Sequence, residues 1–217
     1  MDAHMTADRN EFQNLHEIVR RARANLDQNA WDYIVGGSET ETTLRRNRMA
    51  LDEIAFRPRV LRNVSRVDSS VEVFGRKLRL PVMLAPVGSL ETFDPDGAAP
   101  VVRAAGAFGA AHMLSSVSKP GLENVAKAAP DALRIFQLYV RGDDAFVEDY
   151  VERALANDFT AFCLTTDSAH YSRRERDLAK RHVTAGRSRA SGHLFQMALD
   201  WRTVKLIKEK YRIPLIL

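Results

Sequence analysis

Short apolar runs alternate with helix-like stretches from Pro81 onward. Each run is continuously apolar rather than alternating with polar positions, as in strands that are covered on both faces. The runs are VMLAPV, AHMLSS, RIFQLYV, AFCLTTD and IPLIL, and the first four are followed by GAAPVVRAAGAFG, GLENVAKAA, DAFVEDYVERALAND and, after a long polar loop, RTVKLIKEKY. Repeated strand–helix units predict an α/β fold with a parallel sheet, either doubly wound or closed as a (β/α)8 barrel.

The first 80 residues follow a different pattern. Apolar residues recur every three or four positions over residues 11–34, which predicts one amphipathic helix. They are Phe12, Leu15, Val19, Ala22, Leu26 and Ala30. A second helix is predicted over residues 39–54, and an irregular, partly extended stretch follows it. We therefore expect one domain over residues 1–217, with a helical and extended region over 1–80 and the first βα units over 81–217.

The ends of the apolar runs favour the barrel. Small or polar residues stand there, namely Pro86, Gly88, Ser115, Ser116, Gln137, Tyr139, Thr165 and Asp167. Barrel enzymes place their sites at the carboxyl ends of several strands, whereas doubly wound nucleotide-binding proteins concentrate their signal in one glycine-rich turn. The sequence contains neither GxGxxG nor GxxxxGKS. We therefore predict the barrel and give a flavodoxin-like domain little weight.

The composition is that of a globular protein, with 45% hydrophobic and 28% charged residues. The net charge is +4, but acidic residues interrupt even the most basic segment, residues 172–182. We expect that segment to form a solvated loop or helix face, and no nucleic-acid partner is predicted. Charges interrupt every apolar run well before the ~18 residues of a membrane span. The single cysteine, Cys163, and the polar N-terminal residues favour a reducing, cytoplasmic location.

Several common catalytic and metal-binding motifs are missing from the sequence. HExxH, CxxC and GxSxG do not occur, and the six histidines are dispersed, so no metal site is predicted. His112, at the start of a predicted strand, is expected to be a structural, hydrogen-bonded histidine. Cys163 lies inside a predicted strand and is expected to be a small buried hydrophobic residue.

The remaining candidates are mostly uncharged hydrogen-bonding side chains at strand ends. Ser115, Gln137 and Thr165 suit a flat heteroaromatic ring with carbonyls and ring nitrogens, and they could equally cap the strands. Tyr139 could present its hydroxyl to a ligand or merely pack, and the same holds for Tyr33. Arg174 could bind a substrate carboxylate through two hydrogen bonds, or lie solvated in its basic loop.

The segments AWDYIVGGSETETTLRRNRMALDEIAFRPRVLRNVS, LPVMLAPVG, LSS, RIFQLYV, LTTD and SRRERD together resemble the FMN-dependent α-hydroxy acid dehydrogenase/oxidase family. The resemblance covers residues 12–217 and implies a (β/α)8 barrel with FMN at its carboxyl-terminal mouth. It implies that the backbone at Pro86, Val87 and Gly88 lies against the flavin. It also implies further flavin contacts by Ser115, Gln137, Thr165 and Tyr139.

The resemblance assigns the substrate side of the site as well. Tyr33 and Arg174 match residues that hold the substrate carboxylate, and Tyr139 matches a catalytic tyrosine close to both flavin and substrate. Asp167 is expected to have a supporting structural role. Glycolate-oxidising relatives carry an aromatic residue where this chain has Val117, which implies a lactate-like or bulkier L-2-hydroxy acid.

The resemblance also implies that IPLIL is the fifth of eight strands. The flavin-contacting lysine, the catalytic histidine, a second arginine and the phosphate site are then expected beyond Leu217. We therefore expect the remainder of the barrel, or a second chain, as a partner, and we predict that these 217 residues alone do not turn over. The alternative is a non-catalytic fragment or split-chain subunit that acts as an interaction module.

Relatives of the family imply two further properties. The first is that the protein forms a homo-oligomer, namely a tetramer. The polar loop around residues 181–192 carries basic residues that permit peripheral contact with a membrane, so a membrane-associated location stands beside the cytoplasmic one.

Overall fold

The computed structural model describes residues 12–183 and 191–217. These residues form two compact units: the first contains residues up to Ile54 together with Ser172–His182, and the second contains Ala55–Tyr171 with Val183–Leu217. The prediction of one domain over 1–217, with a boundary at residue 80, stays a prediction.

The described elements of the first unit are α1 (Leu15–Asn25), α2 (Gln28–Val35), α3 (Thr42–Asp52) and α7 (Glu175–Ala179). Those of the second unit are β1 (Val71–Val73), β2 (Arg76–Leu78), β3 (Met83–Leu84), a 3-10 turn (Leu90–Thr92), α4 (Ala98–Phe108), β4 (Ala111–Ser115), α5 (Leu122–Ala128), β5 (Arg134–Leu138), α6 (Asp144–Ala156), β6 (Ala161–Leu164), α8 (His193–Met197), α9 (Trp201–Lys210) and β7 (Leu215–Ile216).

The second unit is built on a parallel sheet with the strand order β3-β4-β5-β6-β7. All five predicted strands are present in the predicted order, and α4, α5, α6 and α9 are the four predicted helices between them. The sheet therefore has the sequential parallel order expected of consecutive βα units. Gly109 ends α4 in the left-handed conformation with φ +82, which favours glycine at the end of a helix.

One face of the sheet is covered by helices. Leu114 from β4, Phe136 from β5 and Phe162 from β6 pack in one cluster with buried residues of the helices. The helix residues include Val102 of α4, Val125 of α5, Val151 of α6 and Ile207 of α9. Each of these side chains is at most 1% exposed, so this layer forms the larger core of the unit.

The opposite, inner face carries a smaller core. It contains Met113, Ile135 and Cys163 from consecutive strands, and the β1–β2 hairpin packs against it through Leu78. The tight turn of the hairpin places both Phe74 and Gly75 at positive φ, +49 and +73, as the strand twist favours. The predicted irregular stretch before Pro81 therefore contains a hairpin that covers this face.

The first unit differs from the prediction of a single N-terminal helix. The chain breaks between α1 and α2 because Asp27 caps α2, its carboxylate accepting a hydrogen bond of 2.8 Å from the Ala30 amide. Of the predicted apolar face, Leu15 is 76% and Val19 51% exposed, while Ala30 is buried. The second predicted helix is confirmed as α3.

The long polar loop after β6 contains the short helices α7 and α8, which the sequence pattern did not predict. In α7 the expected solvated face is wrong in part, since Asp177 is only 6% exposed. Arg176 pairs with Glu41 at 2.6 Å and Lys180 pairs with Asp32 at 2.6 Å. The Arg176 guanidinium holds the pKa of the Glu41 carboxyl below its ordinary value. The loop predicted around residues 181–192 lies largely outside the described residues.

Candidate functional site

The inner face of the sheet also carries the side chains of Ser115, Gln137 and Thr165, because each lies two residues beyond an inner-face residue of its own strand. Ser115 is two residues beyond Met113, and Gln137 is two residues beyond Ile135, both inner-face residues. Ser115 and Gln137 are cross-strand partners, and Gln137 is also paired with Cys163. Thr165 is two residues beyond Cys163, so it stands one layer nearer the mouth. The sheet therefore brings the three predicted ring-binding side chains to one face at the carboxyl ends of β4, β5 and β6.

Two of these side chains carry buried polar atoms that nothing in the described chain satisfies. Gln137 Oε1 and Thr165 Oγ1 have no hydrogen-bond partner within residues 12–183 and 191–217. A buried polar atom without a partner costs about 1–3 kcal/mol, and such atoms in native proteins call for an explanation. Gln137 Oε1 needs an N–H donor, and the Thr165 hydroxyl can donate or accept. The pyrimidine edge of a flavin offers an N–H between two carbonyls, so these residues fit the predicted FMN.

The segment after β3 forms the neighbouring wall. The Val87 carbonyl accepts a 2.8 Å hydrogen bond from the Ser118 hydroxyl, which ties the Pro86–Val87–Gly88 backbone to the loop after β4. A Cβ on Gly88 would lie 2.9 Å from Val117 Cγ2, so a side chain would clash there. Glycine lets the backbone approach this loop closely. Ser118 was not predicted, although it belongs to the serine-rich SSVS stretch that ends β4.

Tyr139 is held through its backbone. Its amide donates a 3.0 Å hydrogen bond to the Ser116 hydroxyl, and the Ser116 amide donates to the Gln137 carbonyl at 2.8 Å. The loop after β4 therefore fixes the main chain just after β5. Ser116 is a polar strand-end residue whose specific role the sequence did not reveal.

A polar cluster that the sequence pattern did not predict lies beside Tyr139. Arg141 lies over the Tyr139 ring at 5.8 Å from the centroid. Its guanidinium also donates to the Tyr171 hydroxyl and contacts His193 Nδ1, both at 3.1 Å. The rings of Tyr171 and His193 stack with centroids 4.3 Å apart. Because arginine only donates, His193 Nδ1 accepts, and its Nε2 carries the proton that bonds the Ala169 carbonyl at 3.0 Å.

In the first unit, Arg174 lies with its guanidinium carbon 4.8 Å from the ring centroid of Tyr33. The same guanidinium donates to the backbone carbonyls of Tyr33 and Gly36, and it pairs with Asp177 at 3.1 Å. Its side chain is 22% exposed, so the alternative of a merely solvated arginine is wrong. The predicted role of Tyr33 and Arg174 in holding a substrate carboxylate stays a prediction.

Of the other candidates, His112 and Cys163 are buried, whereas Asp167 is exposed and its supporting role stays a prediction. His112 is 1% exposed and faces the helices, and burial lowers its pKa to about 4. Its Nδ1 lacks a partner in the described part of the chain, so the expected hydrogen-bonded histidine is wrong for this nitrogen. Burial raises the pKa of the Cys163 thiol, and this thiol is buried as predicted. Asp167 accepts a 3.1 Å hydrogen bond from the Ser168 hydroxyl.

Within the two described ranges, no group of three or more His, Cys, Asp or Glu side chains is arranged to hold a metal ion. No helix there has the length and apolar character needed to cross a membrane.

Residues 22–217 match the family model for FMN-dependent dehydrogenases. Glycolate oxidase 1 of Zea mays is 40% identical over 173 residues, which are 80% of this chain and 47% of that protein. The glycolate oxidase of Spinacia oleracea is 37% identical over 173 residues, with the same shares. The chain thus spans about half the length of the curated relatives it matches.

Solved structures of mandelate oxidase share the fold. The structure with benzoyl-formic acid has a TM-score of 0.85 and 30% identity, covering 94% of this chain and 60% of that one. A second, with 3,3-difluoro-2-hydroxy-3-phenylpropionic acid, has a TM-score of 0.84 and 29% identity, with the same shares. The sequential parallel sheet is therefore the first five strands of a (β/α)8 barrel, as predicted. The resemblance and its FMN cofactor are confirmed at the level of the family, and the chain belongs to the FMN-dependent dehydrogenases.

Proposed function

We propose that this chain is part of an enzyme that oxidises an L-2-hydroxy acid to the 2-keto acid with FMN. The observation that carries the proposal is the pair of buried, unsatisfied atoms Gln137 Oε1 and Thr165 Oγ1 on the inner face. Two such atoms can hydrogen-bond to a ligand that carries both N–H and carbonyl groups on one edge, as a flavin does. Membership of the family supplies the reaction class.

The residues of this chain would act mainly by binding and orienting. Gln137, Thr165 and Ser115 would hold the flavin ring, with the Pro86–Gly88 backbone against it. Their groups are uncharged, so they satisfy the ring without adding charge to a buried site. When bound, FMN would supply the acceptor for the two electrons that this oxidation removes from the substrate.

Tyr139 is the proposed catalytic residue of this chain. Its hydroxyl can donate a hydrogen bond to a substrate oxygen, and its backbone is fixed by the 3.0 Å bond to Ser116. A fixed donor costs little reorganisation during the reaction, which is the source of electrostatic catalysis. Removing the hydroxyl in Tyr139→Phe keeps the ring and isolates this contribution.

For the substrate we propose an L-2-hydroxy acid larger than glycolate, such as lactate. Val117 supports this, because it stands where glycolate-oxidising relatives are expected to carry an aromatic residue. The mandelate oxidase structures were solved with phenyl-substituted acids, which supports room for a large α-substituent. The glycolate oxidases of Zea mays and Spinacia oleracea are the relatives that argue for the smaller acid.

The test uses the purified complete enzyme, in which this chain is joined by the proposed remainder of the barrel, with FMN under anaerobic conditions. Adding L-lactate, mandelate or glycolate should bleach the oxidised-flavin absorbance, fastest with one of the two larger acids. Tyr139→Phe should slow bleaching about 10²-fold without loss of FMN. A protein that binds FMN but bleaches with none of the three would contradict the proposed reaction, and a clear preference for glycolate would contradict the proposed substrate.

The partners and location are also proposals. We propose a homotetramer that includes the remainder of the barrel, in the cytoplasm or peripherally attached to a membrane. Light scattering of the purified protein tests the tetramer, and cell fractionation at low and high salt tests the attachment, since salt screens contacts between basic residues and lipid headgroups.

A further inference from the structure

Gln196 is a buried polar residue that the proposed mechanism does not use. It belongs to α8, and it is 2% exposed. Its side-chain amide makes two hydrogen bonds in opposite directions. The oxygen accepts from the Val140 amide at 2.7 Å, and the nitrogen donates to the Thr165 carbonyl at 2.7 Å. The side chain therefore bridges the main chains that leave β5 and β6.

This bridge continues the sheet beyond the last direct rung between the two strands. That rung is the 3.0 Å hydrogen bond from the Thr165 amide to the Leu138 carbonyl. One step nearer the mouth, the Val140 amide and the Thr165 carbonyl are joined through the Gln196 amide instead. A carboxamide has the donor and acceptor geometry of a peptide group, so Gln196 takes the place of a peptide in the ladder.

The two bridged peptide groups flank the residues of the site. The Val140 amide belongs to the peptide that follows Tyr139, and the peptide before Tyr139 is held by the Ser116 hydroxyl at 3.0 Å. The Thr165 carbonyl is on the residue whose side-chain hydroxyl is unsatisfied. Fixing these peptides restricts the rotations that would move the Tyr139 and Thr165 side chains.

The start of α8 is itself firmly seated. Gly192 has φ +67, and a Cβ there would lie 2.2 Å from the Arg141 carbonyl, so only glycine permits this approach. His193 follows, bonded to Arg141 and to the Ala169 carbonyl. The helix that carries Gln196 is thus anchored to the same loops that Gln196 bridges.

We infer that Gln196 is a positioning residue for the flavin edge, acting through Thr165 and the backbone of Tyr139. The inference rests on the proposed function, because it assumes that Thr165 contacts FMN. Two short hydrogen bonds from the buried Gln196 amide then set the separation of the ends of β5 and β6 at the mouth.

The experiment measures FMN affinity and thermal stability of the purified protein for wild type, Gln196→Met and Gln196→Glu. Methionine keeps the volume and helix propensity but makes neither hydrogen bond, so FMN affinity should fall about tenfold. Val151→Ala is the matched control, since it removes packing from α6 in the helix-covered core without touching a strand end. It should lower the melting temperature and leave FMN affinity within about twofold.

Gln196→Glu adds a second measurement, the pH dependence of FMN affinity, which a loss of packing would not change. The ionised carboxylate accepts from Val140 but cannot donate to Thr165, whereas the protonated carboxyl can do both. Relative to wild type at the same pH, its FMN affinity should therefore recover as the pH falls. This reversal would support a positioning role through the Thr165 carbonyl.

Two outcomes would overturn the inference. If Gln196→Met and Val151→Ala change FMN affinity equally, or neither changes it, Gln196 is merely structural, while the proposed function stands on the wild-type binding. If the wild-type protein shows no saturable FMN binding, the proposed function fails and the positioning role fails with it.

Discussion

Ser115 and Gln137 are cross-strand partners at the carboxyl ends of β4 and β5, with both side chains on the inner face of the sheet. This pairing defines one layer of the site, and Thr165 begins the next. In parallel sheets such a layer is set by register, because a slip of one residue would turn each side chain to the helix-covered face. The site is thus a direct consequence of strand pairing.

Gln137→Leu should stabilise the FMN-free protein. The substitution removes the buried Gln137 Oε1, which lacks a partner in the described chain, and replaces it with an apolar side chain of similar size. The free energy of unfolding should rise by about 1 kcal/mol. Urea unfolding of the FMN-free protein, monitored by circular dichroism, measures the change.

Ile135→Val is the control for this prediction. Ile135 lies on the same face of β5, one layer deeper, and is 1% exposed. Removing its methylene should lower the free energy of unfolding by about 1 kcal/mol. A Gln137→Leu variant that is destabilised as much as Ile135→Val would show that Oε1 is satisfied in the FMN-free protein.

Arg174→Lys should destabilise the protein by about 2 kcal/mol. A lysine cannot reproduce the planar set of bonds to Asp177 and to the carbonyls of Tyr33 and Gly36. The adjacent Arg173→Lys makes the same substitution at an exposed side chain and should stay within about 0.5 kcal/mol. Urea unfolding of both variants measures the difference, and equal effects would refute a structural role for Arg174.

Because His112 is buried, the free energy of unfolding should fall in mild acid. Its pKa is about 4 in the folded protein against an ordinary value of 6.5, so between these values only the unfolded chain binds the proton. The free energy of unfolding should be unaffected by His112 above pH 6.5 and fall by about 3 kcal/mol as the pH drops to 4. His112→Leu should remove this part of the pH dependence, measured by urea unfolding from pH 7.5 to 4. Parallel curves for the two proteins would contradict it.

Val117→Phe should shift substrate preference towards smaller acids if the proposed function holds. An aromatic side chain there would fill space beside Gly88, where Val117 Cγ2 already lies 2.9 Å from a hypothetical Cβ. The ratio of kcat/KM for glycolate to that for lactate should rise about tenfold or more, measured by steady-state kinetics. An unchanged ratio would show that this position does not limit substrate size.

The sheet, and the position of Ser115, Gln137 and Thr165 at its strand ends, could be predicted from the sequence because the signals are local, whereas their flavin contacts are implied by the resemblance and stay a prediction. Ser115, Gln137 and Thr165 each end a continuous apolar run, and strand parity alone places them on one face. The break at Asp27 also has a local signal, a capping aspartate, which the longer apolar period concealed.

The remaining features depend on contacts between distant residues. The Arg174 guanidinium meets carbonyls that lie 141 and 138 positions earlier in the chain, and Gln196 bonds an amide 56 positions away. Neither residue type nor spacing specifies such partners. Gln196 stands in a short helix whose neighbouring side chains Leu194, Phe195 and Met197 are exposed, and an amide there would ordinarily be solvated as well.

The central claim is that Gln137 and Thr165 satisfy the edge of a flavin ring. Its most direct test is a titration of FMN with the complete protein, including the proposed remainder of the barrel, as wild type and as the Gln137→Leu/Thr165→Val double variant, followed by flavin fluorescence. We predict saturable binding by the wild-type protein and at least tenfold weaker binding by the double variant, about 1.4 kcal/mol or more. Equal affinity of the two proteins, or no saturable binding by the wild type, would contradict the claim.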